Sequence, residues 1–162
     1  MTKSAKAALA DAKNAREAGT FFPLTTVVLQ SPEFASLSPY AVKLLFDMLA
    51  QWYLGNNGYL SASWTLMKDR GWKSKATLAK ALKELENGDW IIRTRQGGRH
   101  MTTLYAVTFH RIDDHHRGKP LDVAATRRPL GTWRKTMPPL RKITKPAPPR
   151  GAIMEGLTLQ AG

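Results

Sequence analysis

The sequence contains no cysteine, no long apolar run and few acidic residues. Without Cys, neither a disulfide nor a thiolate metal site can hold the fold together, and a reducing compartment is compatible with the chain. No apolar stretch approaches the roughly 20 residues that a membrane-spanning helix needs. The first residues, 1–6, are not followed by the apolar core of a secretory signal. We therefore expect a cytoplasmic protein without a membrane partner.

The scarcity of acids leaves a large excess of positive charge. The 162 residues include 25 Lys and Arg but only 12 Asp and Glu, which gives a net charge of +13. Such an excess favours polyanionic partners, because each phosphate that a protein neutralises releases a condensed counterion. Nucleic acid is favoured over anionic lipid, since the chain has no strongly amphipathic basic helix with aromatic insertion residues.

Composition divides the chain into three regions. Residues 1–20 are expected to form an Ala- and Lys-rich arm or helix, and within residues 2–18 the only large apolar residue is Leu9. Residues 21–117 have the size and apolar content of one small domain. Residues 118–162 carry seven of the ten prolines and nine Lys or Arg against two acids. A composition of this kind cannot offset its ordering entropy, so we expect a basic tail that is mostly extended or disordered.

The first half of the domain reads as an extended entry followed by helices. Aromatic and β-branched residues at 21–29 favour an extended, partly strand-like segment. Ser31 and Ser38, each followed by Pro, have the form of helix starts. After Ser38, apolar residues at helical spacing predict the main scaffold helix, which the Gly-Asn-Asn-Gly of residues 55–58 ends. Residues 59–61 are expected to add a short strand. The apolar stripe comprises Ala41, Leu44, Leu45, Met48, Leu49 and Trp52.

The second half reads as helix, turn, helix and hairpin. Ser63 is expected to cap a short helix that Gly71 ends, and Ser74 to cap a second helix that Asn87-Gly88 stops. Two strands, 90–95 and 104–109, follow. The class is thus α+β, mainly α. In the second helix, Leu78, Ala81, Leu82 and Leu85 are predicted to face the core, and Ala76, Thr77, Lys80, Lys83 and Glu84 to face away.

This order of elements resembles the winged helix-turn-helix DNA-binding fold. The resemblance covers roughly residues 21–117 and extends to small proteins of bacterial mobile elements and prophages and to winged-helix domains of plasmid replication initiators. It implies a three-helix core with a β-hairpin wing. The matching pieces are Leu37-Ser38-Pro39, Asn56-Asn57-Gly58, Gly71-Trp72, the helix from Thr77 to Leu85, residues 94–98 and Tyr105-Ala106-Val107-Thr108.

The helix-turn-helix arrangement nominates DNA-contacting residues, because its second helix enters the major groove with its N-terminal side chains near base edges. Helix 74–87 would read the major groove, and the wing 93–104 would contact the backbone or minor groove. The alternative for the wing is a solvated hairpin. The nominated residues are Lys73, Ser74, Lys75, Ala76, Thr77, Lys80 and Lys83 for the helix, and Arg93, Arg95, Gln96, Gly97, Gly98, Arg99 and His100 for the wing.

Other chemistry finds little support in the sequence. The chain has no glycine-rich phosphate loop, metal signature or cysteine nucleophile, so we expect no enzyme activity and no cofactor. The His and Asp residues at 110–117 are interpreted as a solvated turn rather than a metal site. Most aromatic residues are expected to pack in the core. Only Trp72 is kept as a candidate to flank a phosphate.

The sequence therefore predicts a double-stranded DNA-binding protein of the bacterial nucleoid, which regulates transcription of a mobile element or prophage. One alternative is a plasmid or phage replication initiator or accessory factor. Another is a winged-helix adaptor that binds protein or RNA, with the C-terminal tail as a contact for a protein partner. A homodimer would double the site, since one short helix reads only a few base pairs.

Overall fold

The computed structural model describes residues 19–53, 55–113 and 120–135. These residues form five helices and one antiparallel hairpin, which confirms the α+β class. None of the helices in these ranges is both long and apolar enough to cross a membrane. The elements are α1 (Thr26–Leu29), α2 (Pro32–Ala35), α3 (Pro39–Leu49), α4 (Trp64–Asp69), α5 (Lys75–Asn87), β1 (Ile91–Arg95) and β2 (Leu104–Val107).

Serine caps begin three of the helices. The hydroxyl oxygens of Ser31, Ser38 and Ser74 accept hydrogen bonds from the backbone N–H three residues later, at 3.1, 3.2 and 3.3 Å. Each bond satisfies one of the orphan donors of a first helical turn. These predictions are confirmed. The prediction for Ser63 is wrong in its chemistry, because Ser63 occupies the N-cap position but its side chain accepts no capping bond.

The entry and the end of the scaffold helix differ from expectation. The entry was expected to be partly strand-like, but Thr26–Leu29 is a helical turn. The scaffold helix α3 ends at Leu49, well before the glycines of 55–58. The side chain of Asn56 stabilises this early end, because it accepts from the N–H of Tyr53 at 2.9 Å and donates to the carbonyl of Gln51 at 2.8 Å. Local side-chain bonds thus replace the next helical turn.

The core lies between α3 and α5 and under the hairpin. Leu44 and Leu45 of α3 and Leu85 of α5 are fully buried, and Leu78 and Ala81 are nearly so. Leu82 is only partly buried and packs at the edge of the core. Burial of a Leu side chain contributes about 1.5–3 kcal/mol. The predicted apolar face of α5 is therefore confirmed, and it fixes the orientation of the opposite, polar face.

The hairpin is irregular at β1. Ile91 pairs with Val107 and Arg93 with Tyr105, but the register then shifts so that Arg95 pairs with Leu104. Thr94 lies in this bulge, is fully buried, and donates to the carbonyl oxygen of Gly58 at 2.5 Å. Of the strand expected at 59–61, only Leu60 is bridged, to Tyr105.

Residues 120–135 pack against the domain instead of leaving it. The backbone N–H groups of Asp122, Thr126 and Gly131 donate to the carbonyl oxygens of Thr94, Ile112 and Thr108 at 2.7–2.9 Å. The packed body therefore continues beyond the predicted boundary at residue 117. The expected arm at 1–18 and the remaining tail at 136–162 lie outside the described residues.

Trp133 is the anchor of this C-terminal segment. Its side chain is 2% exposed and stacks on Trp90, with ring centroids 5.0 Å apart. The Lys135 ammonium pairs with Asp89, and the Lys135 N–H donates to Glu33 at 3.1 Å. Burial of the Trp133 ring and the backbone hydrogen bonds of the segment both act against its ordering entropy.

The start of the 110–117 stretch is also more ordered than a solvated turn. Asp113 is buried and accepts from the N–H of Asn57 at 2.9 Å. The buried Asn57 amide in turn donates to the carbonyl oxygens of Val107 and Arg111 at 3.0 and 2.7 Å. Residues 114–117 lie outside the described residues. The part of the chain that the structure describes contains no group of three or more His, Cys, Asp or Glu that could hold a metal.

Candidate nucleic-acid interface

A tight turn at Gly71 connects α4 to α5. Gly71 has φ +84°, which a residue without Cβ adopts at no steric cost, and the N–H of Trp72 donates to the carbonyl of Met67 at 3.2 Å. Trp72 then turns into the protein, where its Nε1 donates to Asp47 at 2.7 Å and its ring is 4% exposed. The expectation that Trp72 flanks a phosphate is therefore wrong, because its ring supports the turn from inside.

The nominated residues around the start of α5 lie on the outside. Lys73, Ser74, Lys75, Ala76, Lys80 and Lys83 are exposed, and Thr77 is half-buried. Ala76, Lys80 and Lys83 follow the i, i+4, i+7 spacing that places residues on one face of a helix. We call this surface the lysine face, defined by Lys73, Lys75, Ala76, Lys80 and Lys83.

The two acids of α5 are bonded to other residues of the same chain. The Glu84 carboxylate accepts from the N–H of Ser38 at 2.7 Å and from its hydroxyl at 2.6 Å. The prediction that Glu84 faces away is therefore wrong: it caps the start of α3 across the core edge. Glu86 forms an ion pair with Arg93. Among the described residues, Lys73, Lys80 and Lys83 have no ion-pair partner, so the lysine face keeps its charge for solvent or a ligand.

Arg93 of β1 is bonded to a residue of α5. Its guanidinium donates to Glu86 at 2.8 Å and to the side chain of Gln96 at 2.8 Å. The hydrogen bond and the negative charge of Glu86 raise the pKa of Arg93. Arg93 is nevertheless exposed on its other side. The pair joins the hairpin base to the C-terminal half of α5, so the two nominated sets belong to adjoining surfaces.

The hairpin connection, residues 96–103, is held by its own backbone. Gly98 and Met101 exchange backbone hydrogen bonds of 3.1 Å. A Cβ on Gly97 would lie 2.6 Å from the backbone nitrogen of Thr103, so glycine is required by contact within the chain rather than by the approach of a ligand. Gly98 has open space around it. The two glycines that were nominated together therefore have different roles.

The remaining nominated residues of the hairpin differ in exposure. Arg99 and His100 are exposed, and His100 has φ +67°. Arg95 is half-buried, and its Nε is buried without a hydrogen-bond partner among the described residues. Met101, which the sequence did not nominate, is 56% exposed beside them. The signal that identifies it is a lone apolar residue within a polar connection.

The structure thus gathers the lysine face and Arg93 on adjoining surfaces and presents Arg99 and His100 on the connection, while Arg95 and Gly97 serve the hairpin itself. Comparison with known proteins finds no matching family model, and neither a curated protein nor a solved structure matches the chain.

Proposed function

We propose that this protein binds double-stranded DNA as a winged helix, with the lysine face of α5 in the major groove and the 93–104 hairpin against the backbone or minor groove. The observation that carries the proposal is the division of charge on α5. Its acids are bonded to Ser38 and Arg93, and its lysines are exposed and form no ion pair among the described residues. The Lys75 ammonium lies 5.7 Å from the centre of the Trp64 ring.

The geometry of α5 supports this mode of binding. The buried Leu78 and Leu85 fix the rotation of the helix, so the lysine face projects from a packed body. The helix begins at Lys75, four residues after Gly71, so Lys75 lies in its first turn and Lys73 precedes the Ser74 cap. Lysines placed this way contact phosphates as point charges and reach guanine O6 and N7 at base edges. The half-buried Thr77 and exposed Ala76 offer methyl groups to a thymine.

The test removes two lysines and compares them with two arginines elsewhere. Lys80→Ala/Lys83→Ala is expected to lower duplex affinity and to reduce the slope of log affinity against log salt by about 2, since each phosphate contact contributes roughly 0.9. The matched control is Arg127→Ala/Arg128→Ala, which removes the same charge from exposed positions on the C-terminal segment. Fluorescence anisotropy with a labelled duplex across a salt series measures both.

Equal losses in the two variants would contradict the proposal, because general attraction of a basic protein to DNA depends on charge alone. Absence of duplex binding at low salt would also contradict it and would favour an adaptor that binds protein or RNA. The regulatory role in a mobile element rests on the resemblance seen in the sequence. Selection of bound fragments from a genomic library distinguishes it from replication initiation, because promoter operators and origin repeats are different targets.

A further inference from the structure

A groove with different chemistry lies around Phe21 and Trp52, and none of its lining residues belongs to α5 or the hairpin connection. One half is a cavity of about 270 Å³ beside the end of α3, lined by Phe22, Phe46 and Leu49 among others. The other half is a cavity of about 600 Å³ lined by His110, Arg111, Arg127 and Pro129 together with Phe21 and Trp52. Pockets of about 300–1,000 Å³ are typical of ligand sites.

The α3 half of the groove is apolar, and none of the described residues that line it carries a charge. Its lining consists of Thr20, Phe21, Phe22, Leu24, Phe46, Leu49, Ala50 and Trp52. Phe46 is 47% exposed, although the other side of α3 is buried in the core. The ring of Phe22 packs edge-on against Trp52, with centroids 4.5 Å apart, so the aromatic wall is fixed in place. This half presents a preformed surface for apolar side chains.

The other half is cationic. Arg111 and Arg127 are exposed there, and the His110 ring packs against Trp52 with centroids 4.6 Å apart. Among the described residues that line this cavity, Asp113 is the one acid. It is 6% exposed and already accepts hydrogen bonds from the N–H of Asn57 at 2.9 Å and Nε of Arg111 at 3.2 Å. Within the described lining, an anionic group that enters the cavity therefore meets two arginines, whose charge the one shielded carboxylate only partly offsets.

We infer that this groove docks an acidic peptide segment of a partner protein, with aromatic or aliphatic side chains in the α3 half and carboxylates beside Arg111 and Arg127. A nucleic-acid backbone fits less well, because it would leave the uncharged half of the groove unfilled. A second copy of the chain is disfavoured by its net charge of +13. Residues 1–18, which precede the groove in sequence, contain four Lys or Arg against two acids and so match its cationic half poorly.

The probe is a fluorescein-labelled twelve-residue peptide composed of Glu, Leu and Phe, and anisotropy measures its binding to the full-length protein. Two control peptides isolate the chemistry: one replaces Glu by Gln, and the other replaces Leu and Phe by Ala. Each control is expected to bind at least about tenfold more weakly, because each removes one of the two kinds of contact. Equal binding of either control would overturn the inference.

Variants of the protein locate the contact. Arg127→Glu and Phe46→Glu are both expected to weaken peptide binding by about tenfold or more, and both positions are exposed, so the fold should persist. The matched control is Lys80→Glu/Lys83→Glu, which reverses two charges on the lysine face and should leave peptide binding within about twofold. An equal or larger loss in this control would overturn the groove as the site. So would self-association by light scattering that Phe46→Glu abolishes, since a second copy would then occupy it.

These outcomes are separable from those of the DNA experiment. A protein that fails to bind duplex DNA but binds the acidic peptide through Arg127 retains the groove as a partner site. A protein that binds DNA through α5 but ignores the peptide loses the groove and keeps the interface.

Discussion

The basic residues of α5 and Arg93 of β1 differ in whether they are bonded within the protein. On α5 the acids are bonded within the protein, and Lys80 and Lys83 are left exposed. On β1 it is the arginine that is bonded, since Arg93 donates to Glu86 and Gln96. The difference follows from geometry. Helical spacing puts Glu84 toward α3 and the lysines toward solvent, whereas a strand beside the end of a helix brings its arginine within reach of the helix's acid.

The largest predicted effect is a loss of stability when the hydrogen bonds between Glu84 of α5 and Ser38 are removed. Replacing Glu84 by Ala removes two hydrogen bonds from Ser38 to a charged acceptor, so we expect the free energy of unfolding to fall by about 2–3 kcal/mol. The matched variant Lys83→Ala, next to it on the exposed side, should change stability by less than about 0.5 kcal/mol. Urea denaturation measures both. A loss for Glu84→Ala no larger than that for Lys83→Ala would show that Glu84 is a surface acid like any other.

The residues of α5 show which features can be predicted from the sequence and which cannot. The apolar spacing of Leu78 and Leu85 predicts the buried face of α5, because helical periodicity is a local property. The role of Glu84 is not predictable in this way, since its partner Ser38 lies 46 residues earlier in the chain. From the sequence alone, a Glu84 that faces solvent is as plausible as one that bonds to Ser38, until the packing of α5 on α3 is known.

Distance along the chain explains the other differences as well. The Pro-rich, basic composition of residues 118–162 predicts a tail, yet Trp133 in this stretch stacks on Trp90, 43 positions earlier. The exposed lysines of α5 and the capping serines were predictable, because exposure and capping follow from neighbours within one or two turns. The ion pair of Arg93 with Glu86 was not, because it depends on how the hairpin docks beside the helix.

A smaller effect, on duplex affinity, is expected from removing the ion-pair partner of Arg93 in β1. Glu86→Gln breaks the ion pair and frees Arg93, so duplex affinity should rise about two- to fivefold as one more cation meets phosphate. Because the pair is partly exposed to solvent, the free energy of unfolding should fall by less than about 1 kcal/mol. The control Glu86→Gln/Arg93→Gln should show no gain in affinity. An equal gain in the double variant would mean that removing the acid, rather than freeing Arg93, attracts the DNA.

The smallest effect concerns Tyr105, whose phenol lies at the same junction. Burial raises the pKa of Tyr105, and the negative charge of Glu86 raises it further, while Arg93 opposes the rise. Because the folded-state pKa lies above the unfolded value of about 10, the phenol's contribution to stability is fully present below pH 10 and declines as the pH rises toward the folded-state pKa.

The measurable quantity is the difference between the wild type and Tyr105→Phe in urea denaturation from pH 8 to pH 11, because that difference cancels the contributions of groups common to both proteins. Stability should fall more steeply above pH 10 in the wild type than in Tyr105→Phe, and Glu86→Gln should reduce that extra slope because it removes one of the two causes of the raised pKa. Identical slopes in the wild type and Tyr105→Phe would show that the phenol ionises as it does in the unfolded chain. In that case burial and the charge of Glu86 would have no measurable effect on the ionisation of Tyr105. The electrostatic interaction between α5 and β1 would then be limited to the Arg93–Glu86 ion pair.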